Sequence, residues 1–376
     1  MMRIALVIQE YFPHGGLQRD FSRLLRVLVT RGHRCTVYCA RWQGERVGEA
    51  DLRILPVRAL TNHGRAAAFA RRVQESLYAQ DVDRVVGFNR MPGLDIYFAG
   101  DGSFVDRAAH QPGLYRALPR YRTYAALERA VFEPQTRTQV LLLTAGQGEV
   151  YRRCHATPAG RLHVLPPGVD PSARAPADAQ ARRRAQRQSL GLEQGELALL
   201  FVASSFATKG LDRAITTLAH MAAEQPSVKA RLIVVGAGRP RRFRRLAKKL
   251  GVLQALDFLG GRDDVDQLML AADLLVHPAR VEAGGAVLLE ALAAGLPVVT
   301  SALCGYAEHV EDARAGIVLP VEFTQQMLDH AVMRNIDGVF RADRRESALA
   351  YAARTDLYGM HDRAADFIEQ PLEGRD

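Results

Sequence analysis

The chain has 376 residues, 48% hydrophobic and 24% charged, which supports a globular protein of two domains, each long enough to bury its own core. Four cysteines, Cys35, Cys39, Cys154 and Cys304, contain no CxxC pair; they exclude a disulfide scaffold and point to a reducing compartment without a structural metal site, while the absence of any apolar run of about 18 residues excludes a membrane-spanning helix. The formal net charge of +9 calls for anionic partners: phosphorylated ligands, nucleic acid or an acidic membrane surface, with a solvated basic face as the plainer explanation.

The opening MMRIALVIQEYF breaks its short apolar run at Gln9-Glu10, unlike a secretion signal, so a cytoplasmic protein lying at most on a membrane is expected. Arg3–Ile8 reads as a strand and Tyr11–Gly16 as a Pro/Gly turn. Leu17–Thr30 has helical periodicity, with Leu17, Phe21, Leu24, Leu25 and Leu28 on one stripe. Cys35–Ala40 is the next strand, completing a β-loop-α-turn-β unit that opens a doubly wound sheet. Leu52–Val57, Arg84–Phe88, Asp95–Ala99, Val140–Thr144 and Leu162–Leu165 are further strands. Pro166-Pro167-Gly168 breaks the pattern, and Ser172–Gln188 reads as a linker and a charged helix.

The pattern then restarts with short apolar runs at Leu197–Ala203, Arg231–Gly236, Ala255–Leu259, Leu274–His277, Pro297–Thr300 and Gly316–Leu319, most separated by helical stretches. Alternating strands and helices mean a parallel sheet covered on both faces. Two Rossmann-like domains are expected, with a boundary near Pro166–Pro176. Ala348–Glu369 reads as one helix or two.

Five segments could carry chemistry. Pro13-His14-Gly15-Gly16 stands between the first strand and helix, where glycine lets backbone N–H groups approach a phosphate. Ala203–Gly210 follows the first strand of the second half and presents Lys209, which can neutralise a diphosphate without a metal. The strongest is Glu282-Ala-Gly-Gly-Ala-Val-Leu-Leu-Glu290, after His277-Pro278: Gly284-Gly285 opens a helix, and Glu282 and Glu290 can accept hydrogen bonds from sugar hydroxyls. Gly102–Val131 interleaves Arg107, Arg116, Arg120, Arg122 and Arg129 with Phe104, Tyr115, Tyr121 and Tyr124; it suits an anionic membrane, nucleic acid, or a solvated face anchored by its tyrosines. Arg239–Lys249 reads as an exposed, very basic amphipathic helix.

In these segments the chain resembles the retaining GT-B glycosyltransferases of family 4, and among them the lipopolysaccharide core glucosyltransferases. The resemblance rests on Tyr11–Asp20, Thr61–Arg65, Gly87–Asp95, Leu165–Gly168, Thr208–Gly210, Glu282–Glu290 and Cys304–Tyr306. It implies an α/β GT-B fold of two Rossmann-like domains facing across a cleft, with a C-terminal helix crossing back to the first. The domains would be 1–168, for acceptor and membrane, with a crossover segment 356–376, and 169–355, for the nucleotide-sugar.

The resemblance further implies transfer of a hexose from UDP-glucose, or another UDP-hexose or UDP-hexosamine, to a heptose of the lipid A–inner core. No cofactor, metal or nucleic acid is implied, and the protein would be peripheral on the inner face of the inner membrane. Gly15 and Gly16 would approach the donor phosphates, Asp20 would shape the site, and Asp101 would lie near the reacting sugar. Lys209 would neutralise the leaving diphosphate, Glu282 would hold sugar hydroxyls, Glu290 the ribose, and Arg262 would contact the nucleotide. Arg107, Tyr115, Arg116, Arg120, Tyr121, Arg122 and Tyr124 would meet the membrane. One departure stands out: the family carries a basic residue directly before the lysine, and this chain has Thr208, so another arginine or helix N–H groups must share the diphosphate charge. A nicotinamide-dependent oxidoreductase is disfavoured because GxGxxG and its partner acid are missing, and a non-catalytic nucleic-acid or membrane binder leaves Glu282–Glu290 without a purpose. The sequence leaves the oligomeric state open.

Overall fold

The computed structural model describes residues 1–371 apart from His14 and Ala79. His14 of the Pro13–Gly16 turn and the last five residues of the 356–376 segment therefore lie outside the described residues. The chain divides into two compact units, Met1–Pro166 with the segment from Gly359 onward, and Pro167–Tyr358.

The first unit holds a seven-stranded sheet in the order Asp51–Ile54, Arg34–Cys39, Arg3–Val7, Arg84–Gly87, Ile96–Ala99, Gln139–Leu142 and Leu162–Val164. Every pairing is parallel. Its central strands Arg3–Val7, Arg84–Gly87 and Ile96–Ala99 are buried almost throughout, as a parallel sheet covered on both faces requires, while the edge strands Asp51–Ile54 and Leu162–Val164 stay partly exposed. The helix Gly16–Thr30 buries Phe21, Leu24, Leu25 and Leu28 of the stripe its 3.6-residue period predicts, while Leu17, in its first turn, is only half-buried. The expected turn over Tyr11–Gly16 begins instead with a two-residue strand: Glu10–Tyr11 pairs with Arg41–Trp42, because Tyr11 stacks on Trp42 with ring centroids 3.8 Å apart.

The Ala348–Glu369 region contains two helices, Gly338–Arg354 and Met360–Glu369. The second returns to the first unit and packs on Gly16–Thr30. Ala364, Ala365 and Ile368 are fully buried there, and burying the Ile368 side chain alone is worth about 1.5–3 kcal/mol. Arg31 holds the helix by ion pairs to Asp362, Asp366 and Glu369 at 3.0, 2.7 and 3.1 Å.

The second unit holds a six-stranded parallel sheet in the order Leu256–Gly260, Ala230–Val235, Leu197–Val202, Leu274–His277, Val298–Ser301 and Gly316–Leu319. The fold class is the expected one: α/β, with two Rossmann-like parallel sheets. Each sheet has one place where strand order reverses, between Arg3–Val7 and Arg84–Gly87 in the first and between Leu197–Val202 and Leu274–His277 in the second. Ligands of doubly wound sheets sit outside the carboxyl ends of such strand pairs, which directs attention to four loops.

Candidate active site

In the second unit, the two loops at the reversal point carry Lys209 and Glu282. The first runs from the end of Leu197–Val202 to the helix Leu211–Glu224. Phe206 anchors it in the core at 3% exposure. Gly210 ends it with φ +80, and a Cβ there would lie 2.2 Å from the Pro278 carbonyl oxygen, so only glycine suits this backbone and this close approach. The second loop leaves Leu274–His277 and enters the helix Ala286–Ala293 through Gly285 at φ +95.

The loops meet through Lys209. Its Nζ donates to the Val281 carbonyl at 2.8 Å and lies 2.7 Å from Glu282 Oε2. His277, 1% exposed, places Nε2 3.6 Å from the same oxygen. Neither ring nitrogen has a partner at hydrogen-bond distance. Burial opposes the imidazolium, but the Cys304 thiol and Glu282 outweigh it and push His277 up to about 9. Burial likewise raises the Glu282 carboxyl, but His277 and the Lys209 charge prevail and hold it below its ordinary value. The Glu282 carboxylate thus stands between the side chains of Lys209 and His277. The Gly305 amide and the Gly284 carbonyl tie this loop to the Cys304–Tyr306 turn, at 3.3 Å to the Glu282 carbonyl and 2.8 Å from the Tyr306 amide.

Glu290 lies on the second turn of Ala286–Ala293, buried at 6% exposure. The helix N-terminus behind Gly284 and Gly285 supplies backbone N–H groups that an anion can use. Arg262 stands elsewhere, in the loop after Leu256–Gly260, and its guanidinium forms a bidentate pair with Asp264 at 2.7 and 2.6 Å. Among the described residues, no group of three or more His, Cys, Asp or Glu side chains is placed to hold a metal ion.

In the first unit, Gly15 and Gly16 open the helix Gly16–Thr30 at the carboxyl end of Arg3–Val7. Asp20 lies one turn in, and its Oδ1 is 3.3 Å from His361 Nε2 on the returning helix. Asp101 follows the strand Ile96–Ala99 and is exposed. Its carbonyl accepts from Tyr151 Oη at 2.9 Å and from Arg90 Nη2 at 3.1 Å. Arg90 also donates to the Gly102 carbonyl at 2.8 Å. Beneath it lies Glu128, fully buried, which accepts from the Ser103 hydroxyl at 2.5 Å and the Phe104 amide at 2.6 Å and lies 2.9 Å from His155 Nε2. Burial raises this carboxyl, but the His155 contact, the Arg90 charge and the Ser103 and Phe104 donors bring it down to about 2. In the sequence Glu128 stands with Asp106 as an acid among the arginines of Gly102–Val131 without a role of its own, and His155 lies outside that segment.

That segment folds as the helices Phe104–Ala109 and Pro119–Phe132 with a 3₁₀ turn at Gly113–Ala117 between them. Arg107, Arg116, Arg120 and Arg122 are exposed. Tyr115, Tyr121 and Tyr124 are half-buried in a cluster with Phe104, with centroid separations of 5.1–6.0 Å. Leu114 and Leu118 are 84% and 48% exposed among these cations, apolar positions that the Arg/Tyr reading did not single out. Among the described residues, no helix is long and apolar enough to cross a membrane.

Comparison with known proteins agrees with this geometry. Residues 14–173 match the family model described as Glycosyltransferase Family 4, and residues 182–354 match that of Glycosyl transferases group 1. The chain is 43% identical to the lipopolysaccharide glucosyltransferase WaaG of Escherichia coli K12 over 99% of this chain and 100% of that protein. It superposes on the WaaG crystal structure with a TM-score of 0.95 at 42% identity, covering 98% of this chain and 100% of the other. The fold is also that of Anabaena HepE, solved with UDP and glucose, with a TM-score of 0.75 at 19% identity over 98% of this chain and 99% of that one. The chain belongs to the WaaG lipopolysaccharide glucosyltransferase family, within the glycosyltransferases of family 4 and of the GT-B fold.

Proposed function

We propose that this protein transfers glucose, with retention of configuration and without a metal, from UDP-glucose to a heptose of the lipid A–inner core. It does so at the anionic inner face of the inner membrane. The carrying observation is the Lys209–Glu282 pair at the strand-order reversal of the second unit, where 2.7 Å separates the two charges. Family membership supports the reaction; the site chemistry supports the roles.

Lys209 and the N–H groups opening Ala286–Ala293 face the leaving diphosphate and stabilise the charge that develops on it. Glu282 accepts hydrogen bonds from the transferred sugar's hydroxyls, and Glu290 from the ribose. Arg262 contacts the nucleotide by leaving or sharing its pair with Asp264. In the first unit, Gly15 and Gly16 offer the N-terminus of a helix to a donor phosphate, Asp20 shapes that entrance, and Asp101 borders the reacting sugar. The bond from the anomeric carbon to the phosphate oxygen breaks while the acceptor hydroxyl attacks on the same face. The departing UDP takes the hydroxyl proton, so no enzymic nucleophile is required.

The arginines Arg107, Arg116, Arg120 and Arg122 attract an anionic lipid surface, while Leu114, Leu118 and the edges of Tyr115, Tyr121 and Tyr124 settle at its interface. A thermal shift with UDP, NADH and an oligonucleotide, all with chelator present, tests the donor reading. UDP alone should raise the melting temperature. Stabilisation by NADH or the oligonucleotide in its place contradicts it.

A further inference from the structure

The loop that presents Lys209 has no second cation, because Thr208 stands before it. Arg280, two residues before Glu282, touches this loop. Its backbone amide donates to the Thr208 carbonyl at 2.8 Å, and its Nη1 donates to the Ala207 carbonyl at 3.0 Å. The same guanidinium grips Asp212, in the first turn of Leu211–Glu224, through Nη1 to Oδ1 at 2.8 Å and Nη2 to Oδ2 at 2.6 Å. The next helix residue repeats the link, since Arg213 Nη1 donates to the Pro278 carbonyl at 3.1 Å.

Two roles compete. Arg280 could supply the diphosphate charge that Thr208 does not. Alternatively, it could hold Lys209 in place. Both of its terminal nitrogens are engaged in a fork-to-fork pair whose geometry a planar guanidinium matches and an ammonium does not. One residue satisfies two successive loop carbonyls and the helix that follows. Lys209 reaches back across the same seam to the Val281 carbonyl. Five hydrogen bonds, two of them within the Arg280–Asp212 ion pair, and the Lys209–Glu282 ion pair therefore lace residues 207–212 to residues 280–282.

We infer that Arg280 is a positioning residue: clamped to Asp212, it fixes the Lys209 loop against the Glu282 loop, so that the loop's single cation is preorganised for the leaving diphosphate. The inference rests on the proposed role of Lys209. Charge stabilisation in a transition state depends on donors already aimed, and a small misplacement of a catalytic group lowers turnover without abolishing ground-state binding.

The test is steady-state kinetics of Arg280→Ala, Arg280→Lys, Asp212→Asn, Lys209→Ala and the Arg280→Ala/Lys209→Ala double variant, with melting temperatures alongside. A clamp predicts that Arg280→Ala and Asp212→Asn each lower kcat by about 10- to 100-fold, with donor KM within about threefold of the parent. Arg280→Lys should not rescue, because it keeps the charge but loses the fork. The double variant should be no slower than Lys209→Ala, since Arg280 acts through Lys209. Asp212→Asn is isosteric and keeps the outcome readable if Arg280→Ala folds poorly. Three results overturn the clamp in favour of a direct phosphate contact: multiplied losses in the double variant, near-normal turnover with Arg280→Lys, or tighter donor binding once Asp212→Asn releases the guanidinium. Normal turnover of Lys209→Ala sinks the diphosphate role itself, and the clamp with it.

Discussion

Lys209 Nζ stands 2.7 Å from Glu282 Oε2, and His277 Nε2 stands 3.6 Å from that same oxygen. A carboxylate placed between these two basic side chains keeps its own charge, and Lys209 shares it with His277. Lys209→Ala should therefore lower kcat by about 100- to 1,000-fold, the loss typical of removing one donor aimed at developing negative charge. Its urea midpoint should fall far less than kcat does, because Lys209 contributes only one hydrogen bond and one ion pair between the loops. A drop in the midpoint with kcat unchanged would reverse the assignment.

The pH dependence of stability follows from His277. A raised pKa in the folded state gives stability that is fully present below the ordinary imidazole range and is lost as pH rises through about 9. His277→Asn, uncharged at every pH, should flatten the decline in urea-determined stability over that window. An unchanged slope would mean that His277 is neutral in the fold.

Glu128 has the opposite sign. Its depressed pKa makes its contribution complete above the ordinary carboxylate range and lost as pH falls through about 2. Glu128→Ala at neutral pH leaves the largely buried Arg90 guanidinium without its counter-charge, so unfolding free energy should fall by about 3–5 kcal/mol. Because Ser103 and the Phe104 amide lose their acceptor as well, binding to anionic vesicles should weaken in parallel. Denaturant titration and vesicle sedimentation measure the two effects.

Gly210 combines a left-handed backbone with contact to the Pro278 carbonyl. Gly210→Ala should cost at least about 1–3 kcal/mol of stability, and turnover should fall further than stability does, because the shift moves Lys209. Circular dichroism melts and donor turnover on the same preparation separate the two.

The membrane surface is tested by reversing charge. Arg116→Glu/Arg120→Glu/Arg122→Glu should weaken binding to phosphatidylglycerol vesicles by about 100-fold or more, at roughly 1 kcal/mol for each cation removed. UDP stabilisation should be unaltered. Unchanged vesicle binding would return these arginines to a solvated face.

How much of this was legible depends on sequence separation. Strands such as Leu197–Val202 and the Glu282–Glu290 segment were readable because period, glycine and acid fall within ten residues. The edge strand expected at Leu52–Val57 runs over Asp51–Ile54, since Pro56 has no N–H to continue the ladder. The helix Asn62–Tyr78 escaped notice because only Phe69, Ala70 and Val73 are buried on it. Arg280 and Asp212 are 68 residues apart, and Arg90 and Glu128 come from different elements; no local pattern announces partners that meet only when parallel strands set their loops side by side.

The central claim is settled most directly by incubating the protein with a heptose-terminated core lipid and a panel of UDP-sugars, with chelator present, and weighing the product. Addition of a single hexose from UDP-glucose, undiminished by the chelator, is the expected result. Absence of product with UDP-glucose, or transfer only after Mg²⁺ or Mn²⁺ is restored, would contradict it.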